Sequence, residues 1–255
     1  MKLRRAFLIG SAVVLVLLLV GLGTFYAVLR FGVLPLRDGA TFGNGSVTTV
    51  VTGNFGPIAM GAYMIKLADS GVALIDAGID ENGAAIREAL ARKGKAPADV
   101  RAIFITHGHN DHITGALAFP GAAVYVMEPD VRRVERGRGS DERRIAVTRG
   151  LRDGERLEIS GTMVEVFGLP GHTPGSAAFL VDGVLFLGDS AAGLSDGTLQ
   201  PNTLMSDDAE QTVRSLKALG ERLRQRRGEI RHIAFGHQGP VEGLDPLLKI
   251  TDSLK

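Results

Sequence analysis

Cysteine and tryptophan are absent from this 255-residue chain, and aromatic residues make up only 5% of it. Charge of neither sign prevails: 29 Lys and Arg stand against 28 Asp and Glu, a formal net charge of +1. Without Cys there is no disulfide scaffold, no thiolate zinc site, no iron–sulfur ligation and no thiol nucleophile. Near-neutral charge speaks against a nucleic-acid partner, which calls for a basic excess. Nothing in the composition points to a protein partner. What is present in quantity is apolar: 45% of residues are hydrophobic, too many for long disorder and enough for a real core.

One stretch is both apolar and free of charge. Ala6 to Leu29 spans 24 residues without a charged side chain. As a helix it would run roughly 36 Å, against a bilayer core of about 30 Å. Lys2, Arg4 and Arg5 precede it, and Arg30 and Arg37 follow. The spacing predicts a transmembrane helix over residues 6–29, with the N-terminus cytoplasmic and the rest extracytoplasmic. A retained signal anchor in the cytoplasmic membrane is the favoured reading. A secretory signal cleaved near Gly21-Leu22-Gly23 is the other, and it would release the protein. Arg4-Arg5 also resembles a twin-arginine export signal, so the route stays open.

The chain divides into a membrane segment (1–30), a linker (31–45) and one domain (46–255). Pro35, Gly39, Gly43 and Gly45 leave the linker no helical periodicity. β-rich runs follow at Ser46–Thr52, Ala62–Leu67 and Val72–Asp76. Glu81–Lys93 has helical spacing. Arg101–Thr106, Ala123–Met127 and Met163–Phe167 read as strands, and Ala177–Val181 with Val184–Leu187 as a hairpin around Asp182-Gly183. Asp208–Arg227 reads as an amphipathic helix, Ile230–Phe235 as a strand and Leu244–Leu254 as a last helix. Two sheets with helices outside them fit this order, an α+β domain. The Arg-rich segment Val131–Arg156 reads as a solvated loop or helix face; its sharper reading is a cationic lip over an active site, or a patch facing anionic lipid headgroups.

The chemistry sits in Thr106-His107-Gly108-His109-Asn110-Asp111-His112. Imidazole and carboxylate suit zinc, manganese or iron. On an extended strand end, residues 107 and 109 point the same way and grip one metal as a pair. Asp111 and His112 lie where the chain turns into a helix and are placed for a second. Gly108 is expected to let the backbone approach the ion.

The run HGHNDH resembles the HxHxDH signature of the metallo-β-lactamase superfamily. The likeness continues in order through Asp76-Ala77-Gly78, Gly171-His172-Thr173-Pro174-Gly175, Gly188-Asp189-Ser190 and Gly236-His237-Gln238-Gly239-Pro240. The resemblance implies a four-layer αββα sandwich holding two divalent cations, zinc first. His107, His109 and His172 would hold one; Asp111, His112 and His237 would hold the other, with Asp189 bridging. Metal binding lowers the pKa of water from about 15.7 to about 7, so a hydroxide held between two cations is a nucleophile at neutral pH. Asp111 would both ligate and orient that hydroxide. Asp76 is either a partner of a ligand imidazole or a turn former. His232 reads as structural. Gly193-Leu194-Ser195-Asp196-Gly197 matches GxSxG but lacks the strand–turn–helix flanks of a nucleophile elbow, so it reads as a turn.

Branches of the superfamily separate on what is missing. No Cys stands at the second metal, no Tyr follows Asp189 closely, and only 18 residues follow His237, too few for a glutathione-binding helical domain. The expectation is a membrane-tethered hydrolase acting on an ester, thioester, lactone or lactam of a small molecule. A mononuclear iron persulfide-dioxygenase-like enzyme and a non-catalytic metal-stabilised accessory module are the alternatives.

Overall fold

The computed structural model describes residues 14–23, 32–136 and 143–253. Strand alternation builds most of it. A first sheet runs in chain order: β1 (Thr41–Phe42), β2 (Val47–Phe55), β3 (Ile58–Lys66), β4 (Val72–Ile75), β5 (Val100–Phe104), β6 (Ala123–Met127) and β7 (Arg149–Leu151). A second sheet comprises β8 (Arg156–Ile159), β9 (Thr162–Gly168), β10 (Ala177–Val181), β11 (Val184–Phe186), β14 (His232–Ala234) and β15 (Val241–Glu242), ordered β15-β14-β11-β10-β9-β8. β12 (Ala191–Gly193) and β13 (Leu199–Pro201) form a separate ribbon.

Side chains on a strand point alternately to opposite faces, and the core divides accordingly. From β3 and β4, Ala62, Met64, Val72 and Leu74 face outward onto Ile86, Ala89 and Leu90 of α1 (Ala84–Arg92). Tyr63, Ile65, Ala73 and Ile75 face inward and meet Phe179, Val181 and Phe186 of the second sheet. That sheet turns Ala178, Leu180 and Leu185 onto Leu216, Leu219 and Leu223 of α4 (Ala209–Leu223) and Leu247 of α5 (Asp245–Ser253). Three apolar seams between four layers make the expected αββα sandwich. Two short helices, α2 (Asn110–Ile113) and α3 (Val131–Val134), lie in loops after β5 and β6.

Differences from the sequence reading have local causes. Helix α1 begins at Ala84 rather than Glu81, because the Asp80 carboxylate accepts from the Ala84 and Asn82 N–H groups at 2.8 and 3.0 Å and sets the start. α4 ends at Leu223 and passes into 3₁₀ turns over Arg224–Glu229. Its N-terminus is capped by the Asp208 side chain, which accepts from Gln211 N–H. The stretch read as a linker is bound into the domain. β1 pairs with β2, Val33 bridges to Leu194, and Leu34 both donates to Gly193 O and accepts from Gly239 N–H. The described part of the Arg-rich segment contributes α3, β7 and the first residue of β8, with loop between them. Gly193–Gly197 closes the β12–β13 ribbon as a turn, as expected.

The apolar run over 6–29 lies outside the described residues except at 14–23, which are helical and exposed. Among the described residues no helix is long and apolar enough to cross a membrane.

Candidate metal centre

Strands β4 and β5 run parallel, as do β11 and β14, while β9 and β11 both lie antiparallel to β10. Their C-terminal ends therefore open on one edge of the sandwich. Each carries a polar group within four residues of its last strand position: Asp76 after β4, His107 after β5, His172 after β9, Asp189 after β11 and His237 after β14. Parallel direction alone thus gathers groups that lie up to 161 positions apart in the chain.

The seven residues expected from the sequence converge. Donor atoms of His107, His109 and His172 lie within 4.8 Å of one another, as do those of His107, His112 and Asp189, and those of Asp111, His112 and His237. His109 Nδ1 lies 3.1 Å from Nε2 of His107 and 3.1 Å from Nε2 of His172. His237 Nε2 is 3.0 Å from Asp189 and 3.4 Å from Asp111. His232 stands apart, its ring against Phe42.

Three of the imidazoles, those of His107, His112 and His237, are oriented through Nδ1. His112 Nδ1 donates to Asp76 Oδ2 at 2.7 Å, and His237 Nδ1 donates to the Ala59 carbonyl at 2.7 Å. The Thr106 hydroxyl donates to Asp76 Oδ2 at 2.8 Å and takes the His107 Nδ1 proton at 3.0 Å. Asp76 also accepts from Thr106 N–H and holds a left-handed backbone at φ 57°. It is both the turn former and the partner of an imidazole. The loop of His237 is pinned to β3, whose buried Tyr63 donates its hydroxyl to Phe235 O. Gly236 packs so closely that a Cβ there would fall 2.2 Å from Asp189 Oδ1 and 2.5 Å from His112 Cε1.

One contributor left no mark in the sequence reading. Asp130, fully buried, accepts from Gly108 N–H at 2.7 Å, the Thr173 hydroxyl at 2.7 Å and Gly175 N–H at 3.0 Å. It buckles the loop of His107 and His109 to the loop of His172. This corrects the expected role of Gly108. A Cβ at that position would meet Arg133 Cβ at 2.7 Å, and one at Gly175 would meet Asp130 Cβ at 2.6 Å. Both glycines admit the Asp130 element rather than an ion.

The electrostatics fit a site for cations. His112 Nε2 and Asp189 Oδ1 are buried with no hydrogen-bond partner, although they stand 3.4 Å apart. Such orphans are costly unless something else engages them. Burial pushes His107 well below its usual range, helped by the charge of His112, and it takes His172 down to about 4. Burial would also lower His112 and His237, but the Asp189 carboxylate outweighs it; His112 is held well above its usual range and His237 at about 10. Burial opposes ionisation of Asp189, yet His237 and His112 hold it well below the ordinary carboxylate range.

A consequence can be measured. Near pH 7 the metal-free protein carries protons on His112 and His237, while His107 and His172 are neutral. Ligation requires neutral imidazole, so zinc binding is expected to release protons from His112 and His237. Apparent affinity should rise with pH, and the rise should become shallower as pH passes about 10, where His237 has lost its proton. Calorimetry in buffers of different ionisation heat reads the release directly; binding without proton release would contradict the assignment.

His109, Asp111, His172, Asp189 and His237 line a cavity of about 990 Å³ whose walls include Val33, Phe55, Ile58, Met60, Arg133, Arg136 and Met205.

A family model described as the Metallo-beta-lactamase superfamily matches residues 62–223, more than half of the chain. A hydroxyacylglutathione hydrolase of Stenotrophomonas maltophilia is 36% identical over 139 residues, covering 53% of this chain and 48% of that protein. The chain spans between 32% and 55% of the length of the first curated relatives it matches. Among solved structures, a metallo-beta-lactamase family protein from Thermus thermophilus is 24% identical with a TM-score of 0.61, covering 82% of this chain and 78% of that one. A subclass B3 metallo-beta-lactamase of Bradyrhizobium japonicum is 21% identical with a TM-score of 0.58, covering 89% and 94%. At such identities the two structures show the fold alone.

Proposed function

This chain belongs to the metallo-β-lactamase superfamily, and from that premise we propose that it is a metal-dependent hydrolase of acyl bonds: ester, thioester or lactone first, lactam next. One observation carries the reading. Three overlapping sets of His and Asp donors converge beside a large cavity that five of the seven residues line, with His112 Nε2 and Asp189 Oδ1 buried and unpartnered among them. His107, His109 and His172 would hold one cation, Asp111, His112 and His237 a second, and Asp189 lies between the two sets. Zinc is the first choice, and manganese or iron suits the same nitrogen and oxygen donors.

When bound, such cations acidify water and polarise the acyl oxygen. The rest is work for the chain. Asp111 faces the cavity. Burial alone would raise its carboxyl, but the hydrogen bond from His237 and the charge of His112 hold it below the usual range. It stays ionised and accepts the proton of the attacking water. Asp76 keeps His112 in the tautomer that turns Nε2 to the site. Phe55, Ile58 and Met60 wall the acyl group from bulk water.

The test pairs elemental analysis of the full-length protein with a panel of esters, thioesters, lactones and lactams. Two cations per chain and hydrolysis of at least one class are expected. A single iron with persulfide-dependent oxygen uptake would overturn the reading, as would a metal-loaded protein inert to the whole panel. Asp189→Ala should retain one of two metal equivalents; retention of both would remove the bridging role.

Residues 6–29 we read as a signal anchor holding the domain on the extracytoplasmic side of the cytoplasmic membrane. The charge-free run and its basic N-terminal flank support this. The protein should stay with membranes through a carbonate wash. A soluble form beginning near Thr24 would show cleavage instead.

A further inference from the structure

The cavity at the candidate metal centre measures about 990 Å³, and its walls carry both apolar and cationic side chains. The β2–β3 hairpin supplies an apolar stretch of wall with Phe55, Ile58 and Met60, and Val33 and Met205 line the same cavity. The rim is unusually greasy. Phe55 is 75% exposed, Met205 69% and its neighbour Leu204 88%. Among the described residues beyond position 32, the only other large apolar side chains so exposed are Ile79 and Met163. A concentration of exposed apolar side chains at one cavity mouth marks a binding surface. At another edge of the same cavity stands Arg136, with no ion-pair partner among the described residues. Its neighbour Arg133 is already engaged by Asp207 at 2.6 Å.

The chain's own course adds a spatial constraint. Val33 lies on the cavity wall and is fixed there by its bridge to Leu194. The charge-free run ends at Leu29, four residues earlier. Four residues reach at most about 14 Å. Under the anchor reading, the cavity lip therefore stands within that distance of the bilayer surface.

We propose that the substrate is a long-chain acyl amphiphile with an anionic head: the alkyl chain lies against Phe55, Ile58, Met60 and Met205, and the negative group meets Arg136. This rests on the hydrolase reading and deepens it. The reaction is hydrolysis, in which water adds across the acyl bond, its oxygen going to the acyl carbon and a proton to the leaving alkoxide or thiolate.

The experiment uses the full-length, metal-loaded protein in detergent below its micellar concentration. The first arm is a series of p-nitrophenyl esters from butyrate to laurate. Rates should rise with chain length, by about twofold to fourfold in kcat/KM per buried methylene until the cavity is filled. The double variant Phe55→Ser, Met205→Ser changes two exposed positions and should lower the laurate-to-butyrate ratio at least about tenfold, with metal content unchanged. The second arm compares S-lauroyl thioglycolate with its methyl ester. The free carboxylate should be preferred about tenfold, and Arg136→Gln should erase that preference. A flat or falling chain-length profile, or a ratio the double variant does not move, would sink the proposal while leaving the hydrolase reading intact. A preference for the carboxylate that is absent, or that survives Arg136→Gln, would remove the anionic head. No turnover of any ester or thioester would overturn the proposal, and the hydrolase reading falls with it only if lactones and lactams are also left intact.

Discussion

Asp111→Asn is expected to lower kcat/KM on any accepted substrate by about a thousandfold, the size of a general acid–base contribution. Asp111 is the donor most open to the cavity among the three of its set, and it lies 3.4 Å from His237 and 3.7 Å from His112. Asparagine keeps the volume and one carbonyl oxygen but cannot take a proton, and its amide presents donors where cations would sit. The fold should survive, since the site is half-buried and no apolar seam is touched. His109→Ala should act with similar force by a different route. It removes the nitrogen that stands 3.1 Å from both His107 and His172, so metal content should fall with activity. Circular dichroism, elemental analysis and turnover measured together separate the two cases. Wild-type turnover in either variant would contradict the assignment of the site.

The second large effect is expected where no chemistry is performed. Asp130→Ala should destabilise the protein by about 3–5 kcal/mol, because a buried donor stripped of its acceptor costs about 1–3 kcal/mol and three donors lose theirs at once. These are the Gly108 and Gly175 amides and the Thr173 hydroxyl. At about 2–4 °C per kcal/mol for a chain of this size, the melting temperature should drop by about 10 °C. Metal content should fall as well, since the loops of His107, His109 and His172 lose their common tie. Asp130→Asn keeps one acceptor oxygen and should lie between the two, which keeps the idea testable if the alanine variant does not fold. An alanine variant with unchanged melting and full metal content would show that the buckle has no function.

How much of this was legible beforehand differs from residue to residue. His107, His109, Asp111 and His112 are within six positions after an apolar strand, so their density alone points to metal. His172, Asp189 and His237 are single polar residues in short Gly-bearing turns, and they become legible only through resemblance to a family. Asp130 is an ordinary acidic residue at a strand end, and nothing local distinguishes it; its meaning comes from Gly108 and from Gly175, 45 positions away. The strands β2 to β6 and β9 to β11 could be read because each buries at least one face lined by apolar, often β-branched or aromatic, residues. β7, β12, β13 and β15 are two or three residues long and have no period to detect. The stretch 31–45 resembles a linker in composition, yet its backbone pairs with the domain through bonds to Gly193 and Gly239.

The order of residues determined by itself which donors the protein owns and what kind of ion they prefer, because imidazole and carboxylate carry that chemistry wherever they stand. It also determined the layered sandwich, since a period of two in strands and of 3.6 in helices fixes which faces must be covered. Only the tertiary structure decided how the donors are aimed, which buried carboxylate ties their loops together, and that the cavity above them is apolar on one wall and cationic at an edge. Those properties are distances between segments remote in the chain, set by strand direction and by which side chains fit between two sheets, and a linear pattern contains no such distances.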